Sequence, residues 1–172
     1  MNECYLGLGS NIGDSYRTLC QALKAIEKLD LVCNFTASRF FITTPVSDIP
    51  QNDFLNVVCR FHTALDVSTL HKTLKDIETL LGKTAKSKNA PRPIDIDILF
   101  FGSEEVHTEE LTIPHPLWMQ RLFVLKPLLD LTKSVVVYDP LQKALKEVDL
   151  ELLLANFINI HHEKVVPLPC EK

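Results

Sequence analysis

The chain has 172 residues and 19.5 kDa, with 46% hydrophobic and 23% charged residues, a composition that supports one compact core and excludes disorder throughout. Eighteen Lys plus Arg against 22 Asp plus Glu leave a net charge of −4, so a surface for nucleic-acid backbones is not the default and any basic site is local. No apolar run nears the roughly 18 residues of a membrane helix, and Met1-Asn2-Glu3-Cys4 carries neither a basic segment nor an apolar signal core, so a cytoplasmic protein with no membrane and no nucleic-acid partner is expected.

Cys4-Tyr5-Leu6-Gly7-Leu8-Gly9 reads as a short strand ending in glycines, and Ser10-Asn11-Ile12-Gly13-Asp14 as a turn closed by an N-cap. Tyr16, Leu19, Leu23 and Ile26 recur at helical spacing and predict an amphipathic helix to about Leu29. Residues 31–44, rich in aromatic and β-branched side chains, predict one long strand, closed by Pro45 and by a polar stretch over 47–53 that is a candidate mobile loop. Residues 54–63 alternate, with Leu55, Val57, Cys59 and Phe61 on a core face and Phe54, Asn56, Val58, Arg60 and His62 on an available one. Val67, Leu70, Leu74, Ile77 and Leu81 predict a second helix, with Ser68 as N-cap and Gly82 past its end.

Residues 83–93 then carry Lys83, Lys86, Lys88 and Arg92 with no acidic residue, a basic loop in an acidic protein, before a buried strand over 94–101. The order β-α-β-β-α-β predicts the α+β class, a ferredoxin-like split βαβ sandwich of mainly antiparallel sheet with helices packed on it. A single domain is expected over 1–160, ending in a helical stretch over about 149–160, with 161–172 as a flexible tail. The cysteines Cys4, Cys20, Cys33, Cys59 and Cys170 include no C-x-x-C pair, which points to reduced thiols rather than a disulfide framework or thiolate zinc.

Asp95 and Asp97 are two apart on a predicted strand, so their carboxylates project side by side, a hard oxygen pair suited to Mg²⁺ carrying substrate phosphates. Standing alone, such a pair is an ordinary solvent-facing D-x-D on an edge strand. The basic loop immediately upstream supplies what a polyphosphate needs and shifts the balance toward a nucleotide triphosphate site. Gly7, Gly9 and Gly13 fit neither the dinucleotide fingerprint nor the P-loop, and read as a tight strand-to-helix connection. Phe54 and Asn56 share a strand face and offer a ring beside an amide, suited to a flat heteroaromatic with a polar edge. His115 lies between Pro114 and Pro116, followed by Arg121 and Phe123, and His161-His162-Glu163 reads as solvated.

Taken together, Gly9-Ser10-Asn11, Thr43-Thr44-Pro45-Val46, Asp53-Phe54-Leu55-Asn56, Pro91-Arg92-Pro93-Ile94-Asp95-Ile96-Asp97-Ile98, Pro114-His115-Pro116 and Arg121-Leu122-Phe123 closely resemble the 6-hydroxymethyl-7,8-dihydropterin pyrophosphokinase family over residues 3–140. The resemblance implies transfer of the β,γ-pyrophosphate of ATP to a dihydropterin hydroxymethyl group, releasing AMP. It implies Asp95 and Asp97 as ligands of two Mg²⁺ ions, and Arg92, His115 and Arg121 as catalytic groups that offset phosphate charge. The pterin would lie between Phe54 and Phe123, with Asn56 and the Thr43, Thr44, Pro45 and Val46 segment reading its edge. ATP would meet Glu78, Lys83, Lys86, Arg92, Ile98, Thr112, His115 and Arg121. In some organisms such enzymes are fused to dihydropteroate synthase, which makes fusion or coupling to that enzyme an expectation. The family's Arg-x-Arg pair and Arg-Trp-Gly-Pro-Arg stretch are here Lys83-Thr84-Ala85-Lys86 and Lys88-Asn89-Ala90-Pro91-Arg92, which keep charge but lose planar two-pronged donors. A catalytically weak nucleotide- or pterin-binding module on the same fold is the alternative. An RNA-binding sheet fits Phe54 but not the net charge.

Overall fold

A computed structural model of the chain describes residues 1–45, 50–84, 91–139, 142–159 and 162–169. It runs through β1 (Asn2–Ser10), α1 (Ser15–Glu27), β2 (Val32–Ala37), β3 (Phe41–Thr43), β4 (Phe54–Thr63), α2 (Val67–Leu80) and β5 (Asp95–Phe101). A small ribbon of β6 (Val106–His107) and β7 (Thr112–Ile113) follows, then α3 (Leu122–Leu129), a hairpin of β8 (Ser134–Asp139) and β9 (Ala144–Asp149), α4 (Leu150–Ala155) and β10 (Val165–Pro167).

The main sheet has the order β10-β3-β4-β1-β5, with β2 also on β4, and every pairing is antiparallel. This is the expected split βαβ sandwich. Alternation in β4 sends Leu55, Val57, Cys59 and Phe61 into the main core, where they meet Leu19 and Ile26 of α1 and Leu70, Leu74 and Ile77 of α2. Asp14 caps α1 by accepting from Arg17 N at 3.0 Å, as expected. The cap of α2 is Asp66, which accepts from Thr69 N at 2.9 Å, and not Ser68, which lies inside the first turn.

The face of β4 expected to be available is divided. Val58 is buried with Leu125 and Leu128 of α3 in a second apolar cluster, which Val135 of the hairpin and Leu150 of α4 complete. At the other end of the strand Phe54 and Asn56 face a cavity. The predicted long strand over 31–44 is two strands, because the chain leaves β4 at Ser38, whose N–H donates to Val58 O at 2.8 Å while its hydroxyl accepts from Val58 N at 3.0 Å. An irregularity between Cys33 and Thr36, with Asn34 at φ 54°, bends β2 before that point.

The last segment also differs from expectation. Helix α4 is shorter than the predicted 149–160, and part of the expected loose tail, Val165–Pro167, forms β10 against β3. Among the described residues no helix is long and apolar enough to cross a membrane. Ser38→Ala leaves the buried Val58 N–H without its hydroxyl acceptor and is expected to cost about 1–3 kcal/mol in urea unfolding.

Candidate active site

Strand β5 lies at the edge of the sheet, and its alternation buries Ile94, Ile96 and Ile98 in the core while Asp95, Asp97 and Leu99 face a cavity of about 820 Å³ on the other side. The neighbouring β1 supplies a floor without side chains there, since Gly9 pairs with Asp95 and Gly7 with Asp97. The need for glycine is steric at Gly9, where an added Cβ would stand 2.7 Å from Asn56 Oδ1. Asn56 lies across the strand and donates from Nδ2 to Thr43 Oγ1 at 2.7 Å, both residues being buried.

A third acid sits behind the pair. Glu78 near the end of α2 is 1% exposed. Its Oε1 accepts from Ile96 N of the edge strand at 2.6 Å, and its Oε2 meets Lys75 Nζ at 3.0 Å and Lys83 Nζ at 2.8 Å. Lys83 also reaches Asp95 Oδ1 at 2.6 Å, and Arg92 Nη1 reaches Asp95 Oδ2 at 2.9 Å. The two described ends of the basic loop are thereby fastened to one carboxylate. Burial pulls the Lys83 ammonium down, but hydrogen bonds to Asp95 and Glu78 outweigh it and leave the pKa above the ordinary lysine value. Burial, with the charge of Asp95 adding to it, pushes the Asp97 carboxyl up to about 6, against the pull of Lys75 and Arg121.

Asn11, only 4% exposed, ties three segments together. Its side chain donates to Gln51 Oε1 at 2.8 Å and to Asn52 O at 3.3 Å and accepts from Arg92 N at 2.9 Å, while its own N–H donates to Arg92 O at 3.2 Å. The sequence motif includes Asn11 without this role, because nothing in local spacing shows which loops an amide will join.

His115 is fixed by its N–H to Leu99 O at 3.0 Å, and its Nδ1 accepts from Leu117 N at 3.2 Å. Burial, and then the charge of Arg121, lower its pKa to about 4, so the ring is neutral at neutral pH. With Nδ1 accepting, the neutral ring carries its proton on Nε2, beside Arg121 Nη1 at 3.4 Å. Arg121 in turn lies over the Phe123 ring, 5.4 Å from its centroid.

Arg92, Asp95, Asp97, His115, Arg121, Thr43, Thr44, Phe54, Asn56 and Phe123 thus share one cavity. Glu78 and Lys83 stand behind Asp95 rather than on the cavity surface, and Pro45 is not among its lining residues. Ile98 is 3% exposed in the core, and Thr112 pairs with His107 in the small ribbon, so neither reaches the cavity. Val46, Lys86 and Lys88 lie outside the described residues. Sequence reasoning missed Phe157 and Glu163, which also line the cavity; Glu163 is 6% exposed rather than solvated.

The chain matches the family model of 7,8-dihydro-6-hydroxymethylpterin-pyrophosphokinase (HPPK) over residues 5–133. It is similar to the 2-amino-4-hydroxy-6-hydroxymethyldihydropteridine pyrophosphokinase of Bacillus subtilis, with 38% identity over 78% of this chain and 80% of that protein. It is also similar to the bifunctional protein FolKE of Lactococcus lactis subsp. cremoris, with 35% identity over 84% of this chain and 42% of that protein. A crystal structure of Plasmodium falciparum HPPK-DHPS shares the fold at a TM-score of 0.54 and 18% identity, over 75% of this chain and 37% of that one. The chain therefore spans about two fifths of the length of these longer relatives. With the family match covering most of its length and the Bacillus protein matched over four fifths of its own, the chain belongs to the HPPK family.

Proposed function

We propose that the chain transfers the β,γ-pyrophosphate of ATP to the hydroxymethyl oxygen of 6-hydroxymethyl-7,8-dihydropterin and releases AMP. The observation that carries this reading is the joining, in one cavity, of paired carboxylates and cationic groups with a ring-and-amide subsite at Phe54, Asn56 and Phe123. Attack by the hydroxymethyl oxygen forms a bond to the β-phosphorus as the bridge to the α-phosphate breaks, the hydroxyl proton leaves to water, and negative charge grows on the departing α-phosphate. Arg92 and Arg121 are placed to meet that charge, and the Nε2 proton of His115 is an available donor beside them. Phe54 and Phe123 hold the ring so that its hydroxymethyl group points toward the triphosphate.

The donor set fits two Mg²⁺ ions. Asp95 and Asp97 offer hard oxygens on one face of β5, and ions held there would complete their shells with phosphate oxygens and water. Such ions would supply Lewis-acid stabilisation of phosphoryl oxygens. Lys83 and Arg92, now on Asp95, would be released to the phosphates. We place the reaction in the cytoplasm, in keeping with the free thiols of Cys4, Cys20, Cys33 and Cys59. We extend the proposal to hand-over of the product to dihydropteroate synthase, since the structural relative joins HPPK and DHPS in one protein.

Asp95→Ala and Asp97→Asn are expected to lower AMP formation from ATP, Mg²⁺ and the hydroxymethyl-dihydropterin at least about a hundredfold while the folded circular dichroism spectrum is kept. Wild-type rates in either variant would remove the metal assignment, and ADP as the product would remove the reaction. Phe54→Ala and Phe123→Ala are each expected to weaken pterin binding about tenfold or more and to leave calorimetric binding of a non-hydrolysable ATP analogue nearly unchanged. Equal loss of both ligands would show that the ring sits elsewhere.

The Asp97 carboxyl binds protons more tightly folded, at a pKa of about 6, than in the unfolded chain, at about 3.8. Its contribution to stability is therefore fully present below about pH 4 and lost as pH rises through about 6. Urea unfolding without divalent ions should show Asp97→Asn more stable than wild type at pH 7 by up to ~3 kcal/mol, with the gap narrowing toward pH 4. A gap independent of pH would mean that the carboxylate is not crowded.

A further inference from the structure

The two rings assigned to the heteroaromatic substrate stand on different elements, Phe54 on β4 and Phe123 on α3, and both line the cavity. Phe54 is joined outward along the sheet, since it pairs with Thr43 of β3, and Thr43 pairs with Val165 of β10. One row of residues thus runs across three strands from the first ring to the outer strand of the sheet. Asn56 braces the row by donating to Thr43 Oγ1 at 2.7 Å.

Helix α3 grips the far end of that row twice. The Val165 side chain is 3% exposed and lies in the apolar cluster of Phe41 and Leu122, against which Phe123 packs, while Lys126 Nζ donates to the Val165 carbonyl oxygen at 2.7 Å. Lys126 follows Phe123 by three residues, so the two side chains share one face of the helix. A lysine in the last turn of a helix commonly meets the carbonyl ends of its own helix, but this one reaches the last strand instead. Among the described residues β10 has a strand neighbour on its β3 side alone, where Thr44 N donates to Lys164 O at 3.1 Å, Lys164 N to Thr44 Oγ1 at 3.0 Å and Leu168 N to Phe40 O at 2.7 Å.

A flat ring held between two others depends on their separation, because dispersion contact forfeits about a quarter to a half of its depth once a gap of about 0.5–1 Å opens. Lys126 closes the chain of contacts that leads from Phe54 through Thr43 and Val165 to α3 and so to Phe123. Without its donor the Val165 carbonyl loses a charge-assisted bond, and packing alone holds the row to the helix. Lys126 does not itself line the cavity. We infer that Lys126 is a positioning residue that acts through Val165 to fix the distance between the two ring-bearing walls of the subsite. This deepens the pterin reading given above and rests on it.

The test titrates the full chain with 6-hydroxymethylpterin, by ligand fluorescence, and with a non-hydrolysable ATP analogue, by calorimetry. Lys126→Met keeps the apolar stem and removes the donor, and is expected to weaken the pterin about five- to twentyfold and the nucleotide analogue by less than about twofold. Lys126→Arg keeps a donor and is expected to return the pterin to within about threefold of wild type. Without ligand, amide hydrogen exchange over residues 41–44 and 162–168 is expected to quicken about tenfold in Lys126→Met and to stay unchanged in β1. Equal weakening of both ligands marks a general structural role and overturns the inference, as does Lys126→Arg no better than Lys126→Met, or unchanged exchange over 162–168. If Lys126→Met fails to fold by circular dichroism, exchange in the wild-type chain decides: 6-hydroxymethylpterin is expected to slow 162–168, and no slowing overturns the inference. Wild-type AMP formation is measured in parallel. Turnover with an unchanged pterin affinity in Lys126→Met sinks this inference and leaves the proposed reaction standing. Quickened exchange in Lys126→Met, with neither pterin binding nor AMP formation by wild type, removes the reaction and leaves the tie between the walls.

Discussion

Crowded negative charge governs the arrangement. Asp95 and Asp97 share one face of an edge strand, and Glu78 lies buried immediately behind Asp95. Carboxylates this close are tolerated in a cleft only when cations offset them. Lys75, Lys83, Arg92 and Arg121 do so from a helix, the two ends of one loop and the turn before α3, so four parts of the chain are positioned by a single electrostatic requirement. Burial first, and then the charge of Asp95, still hold the Asp97 carboxyl above the ordinary aspartate range.

Lys83 and Arg92 rest on Asp95, and under the proposed reaction a nucleotide arriving with its ions would replace them there and offer its own oxygens in exchange. Asn11 joins Arg92 to Gln51 and Asn52, so the ends of two loops share one anchor beside the glycine floor. Positioning by ties of this kind, more than any single reactive side chain, is what a pyrophosphoryl transfer asks of its protein.

What the sequence disclosed follows from how local each signal is. The amphipathic stripes of α1 and α2 and the alternation of β4 are periodic, and spacing finds Leu19, Leu23, Ile26, Leu70, Leu74, Ile77, Leu55, Val57, Cys59 and Phe61 in the core, whereas Tyr16 of the predicted stripe is 52% exposed and Asn56, Val58 and Glu78 are buried by neighbours that the spacing does not show. Helix α3 is different: Leu122, Val124, Leu125, Pro127 and Leu128 are all buried, so it has no polar face to set a period, and an internal proline obscures it further. The break at Ser38 depends on a hydroxyl standing in for a backbone acceptor, which composition does not announce. Asp95, Asp97 and Phe54 were readable because strand spacing alone aligns them with their neighbours. Glu163 was not, since its burial depends on the last strand adding to β3, a contact between segments 120 residues apart.

The bond from Ile96 N to Glu78 bears on how the molecule behaves in company. A strand at the border of a sheet offers unpaired amides that invite another polypeptide to dock alongside. In β5 one such donor is already taken by an acid from the adjoining helix, with lysines on either side of that acid. A second strand approaching this border would have to displace a salt-bridged carboxylate. Glu78 thus braces the carboxylate strand from behind and at the same time closes one amide of its open border.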